Sequence, residues 1–201
     1  MALQITTPNA AEPVTLAMVK ARLRLTNTAD DALITSQIPV ARAFAEKVCR
    51  RSLALKSYAL SMDRFPHFNH PIRIPVPPLV EVQSITFLDD TLTLQTWDPT
   101  EYYIAAAQSP ALIVPAPGFI YPPPTPHIPG GVSVNFTAGY TVVLSDGGAP
   151  ITDQHAAIAI EAICRLSVYL YQAPEAVLVD GMKPDPLGAI SMLRSIKIYE
   201  F

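Results

Sequence analysis

His67 and His70, three positions apart with Asp63 close by, are the nearest this chain comes to a metal-ligand set. A structural zinc takes four ligands, and a catalytic zinc takes three plus an open position. No second ligand pair accompanies these two, and Pro66 and Pro71 flank them, so an ordinary loop is the better reading. His155 opens a helix-like segment, where a first-turn capping or surface role outweighs that of a base. The nucleophile elbow Gly-x-Ser-x-Gly and the pair Ser-x-x-Lys do not occur. Nor do Gly-x-Gly-x-x-Gly, Gly-Lys-Ser/Thr or His-Glu-x-x-His, so nucleotide and zincin chemistry have no support. Asn135-Phe136-Thr137 has the form of a glycosylation acceptor, but no secretion signal precedes it. Pro123-x-x-Pro126 has the form of a PxxP ligand but lacks flanking basic residues. Arg22, Arg24, Arg50 and Arg51 are the candidates for phosphate contact, and a solvated helix face is the better reading of them. No catalytic constellation is present, and no cofactor or metal is implied.

The elements that carry these residues fall into three zones. Residues 13–53 read as helical. Thr15 is a plausible N-cap, and Leu16, Val19 and Leu23 follow at spacings of three and four. Asp30-Asp31 opens a second helix with acids at its positive end. Ile34, Ile38, Ala41, Ala45 and Val48 form its apolar stripe, with Pro39 expected to kink or divide it. Residues 55–145 change character. Runs rich in β-branched and aromatic residues alternate with proline at 56–62, 72–74, 82–88, 92–97, 102–105, 112–114 and 132–137. Asp89-Asp90 marks a hairpin turn, and 115–129 reads as an ordered Pro-rich loop. Residues 150–201 return to helix, one running to about Gln172 and a shorter one over 186–195. From Ala156 to Tyr171 only Glu161 and Arg165 are charged, so that helix must be buried on most faces. The end, 196–201, alternates with period two and reads as an extended tail.

Composition narrows the class of function. The chain has 201 residues, half of them apolar, which is enough for a real core. Charged residues make up 15%, well under the usual ~25%, so the surface is bare of charge or covered by other subunits. The 21 prolines against 8 glycines favour rigid, extended connections. A net charge of −3 argues against a strongly basic nucleic-acid binder. Residues 1–52 carry seven basic and four acidic side chains and 146–201 carry four and seven, a mild polarity rather than a basic patch. Cys49 and Cys164 lie in helix-like segments and resemble buried free thiols of a reducing compartment. Residues 102–145 contain no Asp, Glu, Lys or Arg, yet eight prolines between Pro110 and Pro129 exclude a spanning helix. The N-terminal MALQITTPNAAEP shows no signal peptide. Low charge, an all-round apolar helix and an apolar tail together point to an assembly subunit.

Glu12-Pro13-Val14-Thr15-Leu16, Lys20-Ala21-Arg22-Leu23-Arg24 and Asp30-Asp31-Ala32-Leu33-Ile34 resemble the opening of tailed-phage head–tail connector (adaptor) proteins. Ile74-Pro75-Val76-Pro77-Pro78-Leu79, Phe136-Thr137-Ala138-Gly139-Tyr140 and the helix before Tyr169-Leu170-Tyr171 continue the series in order. The resemblance is to the long subgroup with a β insertion, also found in gene-transfer agents. It implies an α+β fold. A mostly α-helical connector core (1–54 and 146–195) would hold a β-rich, proline-rich insertion (55–145) and an extended tail (196–201). It also implies a non-enzymatic subunit of a ring, typically a dodecamer, beneath the portal of a virion. Such a ring extends the DNA channel without binding DNA specifically and carries the stopper or tail-completion protein. On that basis the subunit interface is expected at Ile34, Ile38, Ile160, Ile163, Leu166 and Leu170. Portal docking is expected at Ile196, Ile198, Tyr199 and Phe201. The other reading is a virion carbohydrate- or receptor-binding module, with Trp97 and tyrosines of the insertion stacking on sugars; core packing explains those rings better.

Overall fold

The computed structural model describes residues 1–8, 11–67, 70–122, 128–140, 153–173 and 185–198. It divides into a β unit, Met1–Ala10 with Leu55–Gly139, and a helical unit, Ala11–Ala54 with Tyr140–Phe201.

Four helices make up the described part of the helical unit: α1 (Leu16–Leu23), α2 (Asp31–Cys49), α3 (Gln154–Gln172) and α4 (Ala189–Ser195). The starts of α1, α3 and α4 are fixed by side chains that accept orphan N–H groups. The Thr15 hydroxyl accepts from Met18 N–H, and the Asp153 carboxylate accepts from the N–H groups of His155 and Ala156. Asp185, ahead of a single 3₁₀ turn, accepts from the N–H groups of Ile190 and Ser191. In a chain so poor in glycine, α1 and α2 close on Arg24 and Arg50, each left-handed at φ 56°. Pro39 does not divide α2, which runs as one helix through it. The lost hydrogen bond of the proline is offset by burial of Ile34, Ile38, Ala41 and Ala45 on either side of it.

The β unit holds eight strands: β1 (Ala2–Thr7), β2 (Lys56–Met62), β3 (Ile72–Ile74), β4 (Leu79–Leu88), β5 (Leu94–Thr96), β6 (Tyr102–Ala105), β7 (Ala111–Pro115) and β8 (Val132–Ala138). They form two antiparallel sheets, β1-β2-β8-β4-β5 and β3-β7-β6. Strict alternation of buried and half-buried residues along β2 and β8 aims Tyr58, Leu60, Val134 and Phe136 into the core. The Asp89 carboxylate builds the β4–β5 turn by accepting from the Thr91 and Thr93 N–H groups and the Gln95 side chain.

Two expectations require correction. The protein is not mostly helical, because the strand-rich region is a complete two-sheet body with its own core. Among described residues the helical core gathers 20 buried apolar side chains and the sheet core 18, so neither is an appendage of the other. The first residues also leave the expected helical core: Ala2–Thr7 pairs antiparallel with β2, from Ala2 opposite Ser61 to Thr7 opposite Ser57. The alternation in Leu3-Gln4-Ile5-Thr6 is the sequence signal for that strand.

Candidate assembly surfaces

In the helical unit the apolar stripe of α2 meets α3, and the side chains expected at a subunit interface lie inside this chain's own core. Ile34, Ile38, Ile160, Ile163 and Leu166 are buried, and Leu170 is half-buried against them. The assignment is corrected on physical grounds: side chains that already exclude water in one subunit have no apolar surface left for a second. A helix apolar nearly all round is explained here by α1, α2 and α4, all of which contact α3.

Charged side chains of the helical unit pair with one another. Glu161 on α3 accepts two hydrogen bonds from Arg22 on α1 and one from Arg165, 2.8 Å away. Burial alone would raise the Glu161 pKa, but the hydrogen bonds and charges of Arg165 and Arg22 outweigh it and lower the value. Lys20 meets Asp31 at 2.6 Å, and Arg42 bridges Glu12 and Glu46 at 2.7 and 2.8 Å. Arg51 donates to the carbonyl of Ile196 at 2.8 Å and to the Tyr140 hydroxyl. Arg22 and Arg51 are thereby engaged in structural bonds; Arg24 and Arg50 occupy helix ends.

The C-terminal residues divide. Ile196 is buried in the helical core, and the Ile198 N–H donates to the Cys49 carbonyl at 3.2 Å, its side chain half-buried. Tyr199 and Phe201 lie outside the described residues, as do Pro123 and Pro126.

The chemistry-bearing residues of the sequence have structural employment. Asp63 accepts from the Gly130 N–H at 3.0 Å, and no cluster of three potential metal ligands occurs among the described residues. His155 sits in the first turn of α3, exposed, with its ring 3.3 Å from the carboxylate of the capping residue Asp153. Cys49 and Cys164 are buried free thiols, each pushed up to about 11 by burial, which suppresses thiolate chemistry. Trp97 is 2% exposed and packs against Phe65, Tyr102 and Tyr121, so it offers no face to a sugar.

Exposed apolar side chains lie elsewhere. On the β unit they include Met1, Leu3 and Ile5 around β1, Leu92 and Leu94 at the β5 hairpin, and Tyr103 and Ile104 on β6. On the helical unit they include Leu33 and Val40, seven apart on one face of α2. Apolar side chains gathered at sheet edges and along one helix face are what an assembling subunit leaves open.

The family model for phage gp6-like head-tail connector proteins matches residues 13–85. Over that stretch the chain is similar to phage-type head–tail connectors. The matched stretch takes in α1, α2 and the first strands of the inserted region. Solved structures share the fold of this chain over its full length. A chain from the neck of an empty gene transfer agent particle computed with C6 symmetry superimposes with a TM-score of 0.72 at 19% identity, covering 100% of this chain and 97% of that one. A chain of the native gene transfer agent virion gives 0.71 at 20% identity, with the same coverage of each chain. A chain from the native particle's neck computed with C12 symmetry gives 0.69 at 19% identity, again with the same coverage. No curated protein sequence matches this chain.

Proposed function

We propose that this chain is a head–tail connector, one subunit of a closed ring, a dodecamer, at the head–tail interface of a phage-like particle, made in the host cytoplasm and incorporated into the virion. The observation that carries this is the connector-family match over residues 13–85 on a chain whose whole fold resembles neck subunits arranged with rotational symmetry. In this reading the ring sits beneath the portal, continues the DNA channel and carries the stopper or tail-completion protein. Its role in this reading is mechanical, and the Cys49 and Cys164 thiols are buried in the helical core. Double-stranded DNA would pass without specific binding: at net charge −3 the subunit has no excess of cations with which to hold phosphates.

Portal docking is assigned to the C-terminal residues beyond the helical core. Because Ile196 is already buried, the docking group narrows to Ile198, Tyr199 and Phe201. A short extended segment can pair with an open edge and place alternate side chains in pockets. The carbohydrate-binding alternative loses support because Trp97 is enclosed.

Imaging the full chain alone and with the purified portal of its own particle tests both parts. Closed rings seated on portal are expected. Deleting residues 199–201 leaves the helical core intact and should abolish seating. Wild-type chain that remains single in the presence of portal would overturn the ring, and unchanged seating of the truncated chain would overturn the docking assignment.

A further inference from the structure

Strand β1 is where the apolar face of the large sheet runs out past its cover. All six residues Ala2–Thr7 are exposed, and the strand pairs on one side only, as the end of the order β1-β2-β8-β4-β5. Leu3 stands opposite Leu60 and Ile5 opposite Tyr58. They therefore extend the core-facing rows Leu60–Val134–Ile85 and Tyr58–Phe136–Val82. Of those rows Leu60, Val134, Ile85, Tyr58 and Phe136 are buried, whereas Leu3 and Ile5 are 41% and 57% exposed. No residue of β1 belongs to the buried core that the two sheets share.

An open edge with an uncovered apolar face ordinarily carries a charge or a proline to prevent pairing. Ala2–Thr7 contains neither. A bare, uncharged strand offers nothing to nucleic acid or to a charged ligand; it suits another uncharged strand. The opposite end of the same sheet supplies one. Strand β5 is exposed throughout, has no charged residue, and pairs with β4 alone. Gln95 stands opposite Phe87, which places it on the same face as Leu3 and Ile5.

We infer that β1 of one subunit pairs with β5 of the next, so that the large sheets join head to tail around the ring. The inference rests on the ring reading above, which makes a second copy the neighbour. Joining two different edges is the heterologous contact that a closed ring needs, whereas β1 against β1 would stop at a dimer. All neighbours within the sheet are antiparallel, so the first and fifth strands run the same way and the junction is a parallel pair. Within one chain such a pair needs a long crossover connection; between two copies it needs none.

Cysteine pairs test the junction in the full chain assembled with portal, since the native thiols are buried. Gln95→Cys combined with Leu3→Cys or with Ile5→Cys should give, under mild oxidation, a reducible ladder of linked subunits. The three single variants should give none. Leu3→Lys with Ile5→Lys, at positions already exposed in one subunit, should leave the monomer's circular dichroism unchanged and reduce ring yield at least tenfold. The inference is overturned by well-formed rings that give no ladder with either pair, by dimers from Leu3→Cys or Ile5→Cys alone, or by unaltered ring yield of the double lysine variant. Failure of the wild-type chain to form rings would instead overturn the ring reading and, with it, the junction.

Discussion

The helical unit and the β unit answer to opposite demands. In the helical unit the apolar stripes meet inside the fold, side-chain caps satisfy the starts of α1 and α3, and Glu161 pairs with Arg22 and Arg165. The β unit builds an equally dry interior but leaves the end strands β1 and β5 open. Low overall charge thus has two physical sources in one chain: an apolar helix packed in its own core, and end strands that carry no charge. An apolar segment is by itself no sign of an interface; what decides is whether the fold has already covered it.

The strongest way to break this contrast is Leu166→Asp. The side chain is fully buried, and an unpaired carboxylate there should destabilise the helical unit by about 4 kcal/mol or more. Ellipticity at 222 nm should collapse at much lower urea. Emission of Trp97, the single tryptophan, should keep its buried character, since its surroundings belong to the separate sheet core. If that emission shifts along with the ellipticity, the two units do not fold independently. Phe136→Ala is the converse experiment. It empties the centre of the sheet core, where Phe136 stacks on Tyr58, at a cost of about 3–5 kcal/mol, and should shift Trp97 emission before helix is lost.

Smaller effects sharpen the comparison. The Asp89 carboxylate at the β4–β5 turn is lowered to about 2 by hydrogen bonds from Thr91, Gln95 and Thr93. Its folded-state pKa lies below the unfolded value of roughly 3.9, so its stabilising effect is complete above about pH 4 and is lost as pH falls through about 2. The urea midpoint of Asp89→Asn should therefore lie below that of wild type at pH 7, with the gap closing between pH 4 and pH 2.

Much of the local structure was legible in the chain. The runs 56–62, 72–74 and 102–105 coincide with β2, β3 and β6, and Gln172 ends α3 before Pro174 as expected. These succeeded because period-two alternation, proline and turn residues act over a few neighbours. Pro39 does not divide α2 because its penalty is local, whereas the burial that holds the helix together involves residues from other helices. β1 was missed because a six-residue strand has little signal until its partner, more than 50 residues away, supplies the register.

The candidate surfaces were less legible for the same reason. The sequence itself determined that the chain has two kinds of secondary structure, little charge, no catalytic constellation and an ordered series of connector motifs. Periodicity and residue chemistry are sufficient for those conclusions. Only the tertiary structure decided that Ile163 and Leu166 are interior while Leu3 and Ile5 are open. Hydrophobicity belongs to a residue, but exposure depends on what the rest of the chain lays over it, and the end strand β1 keeps Leu3 and Ile5 open.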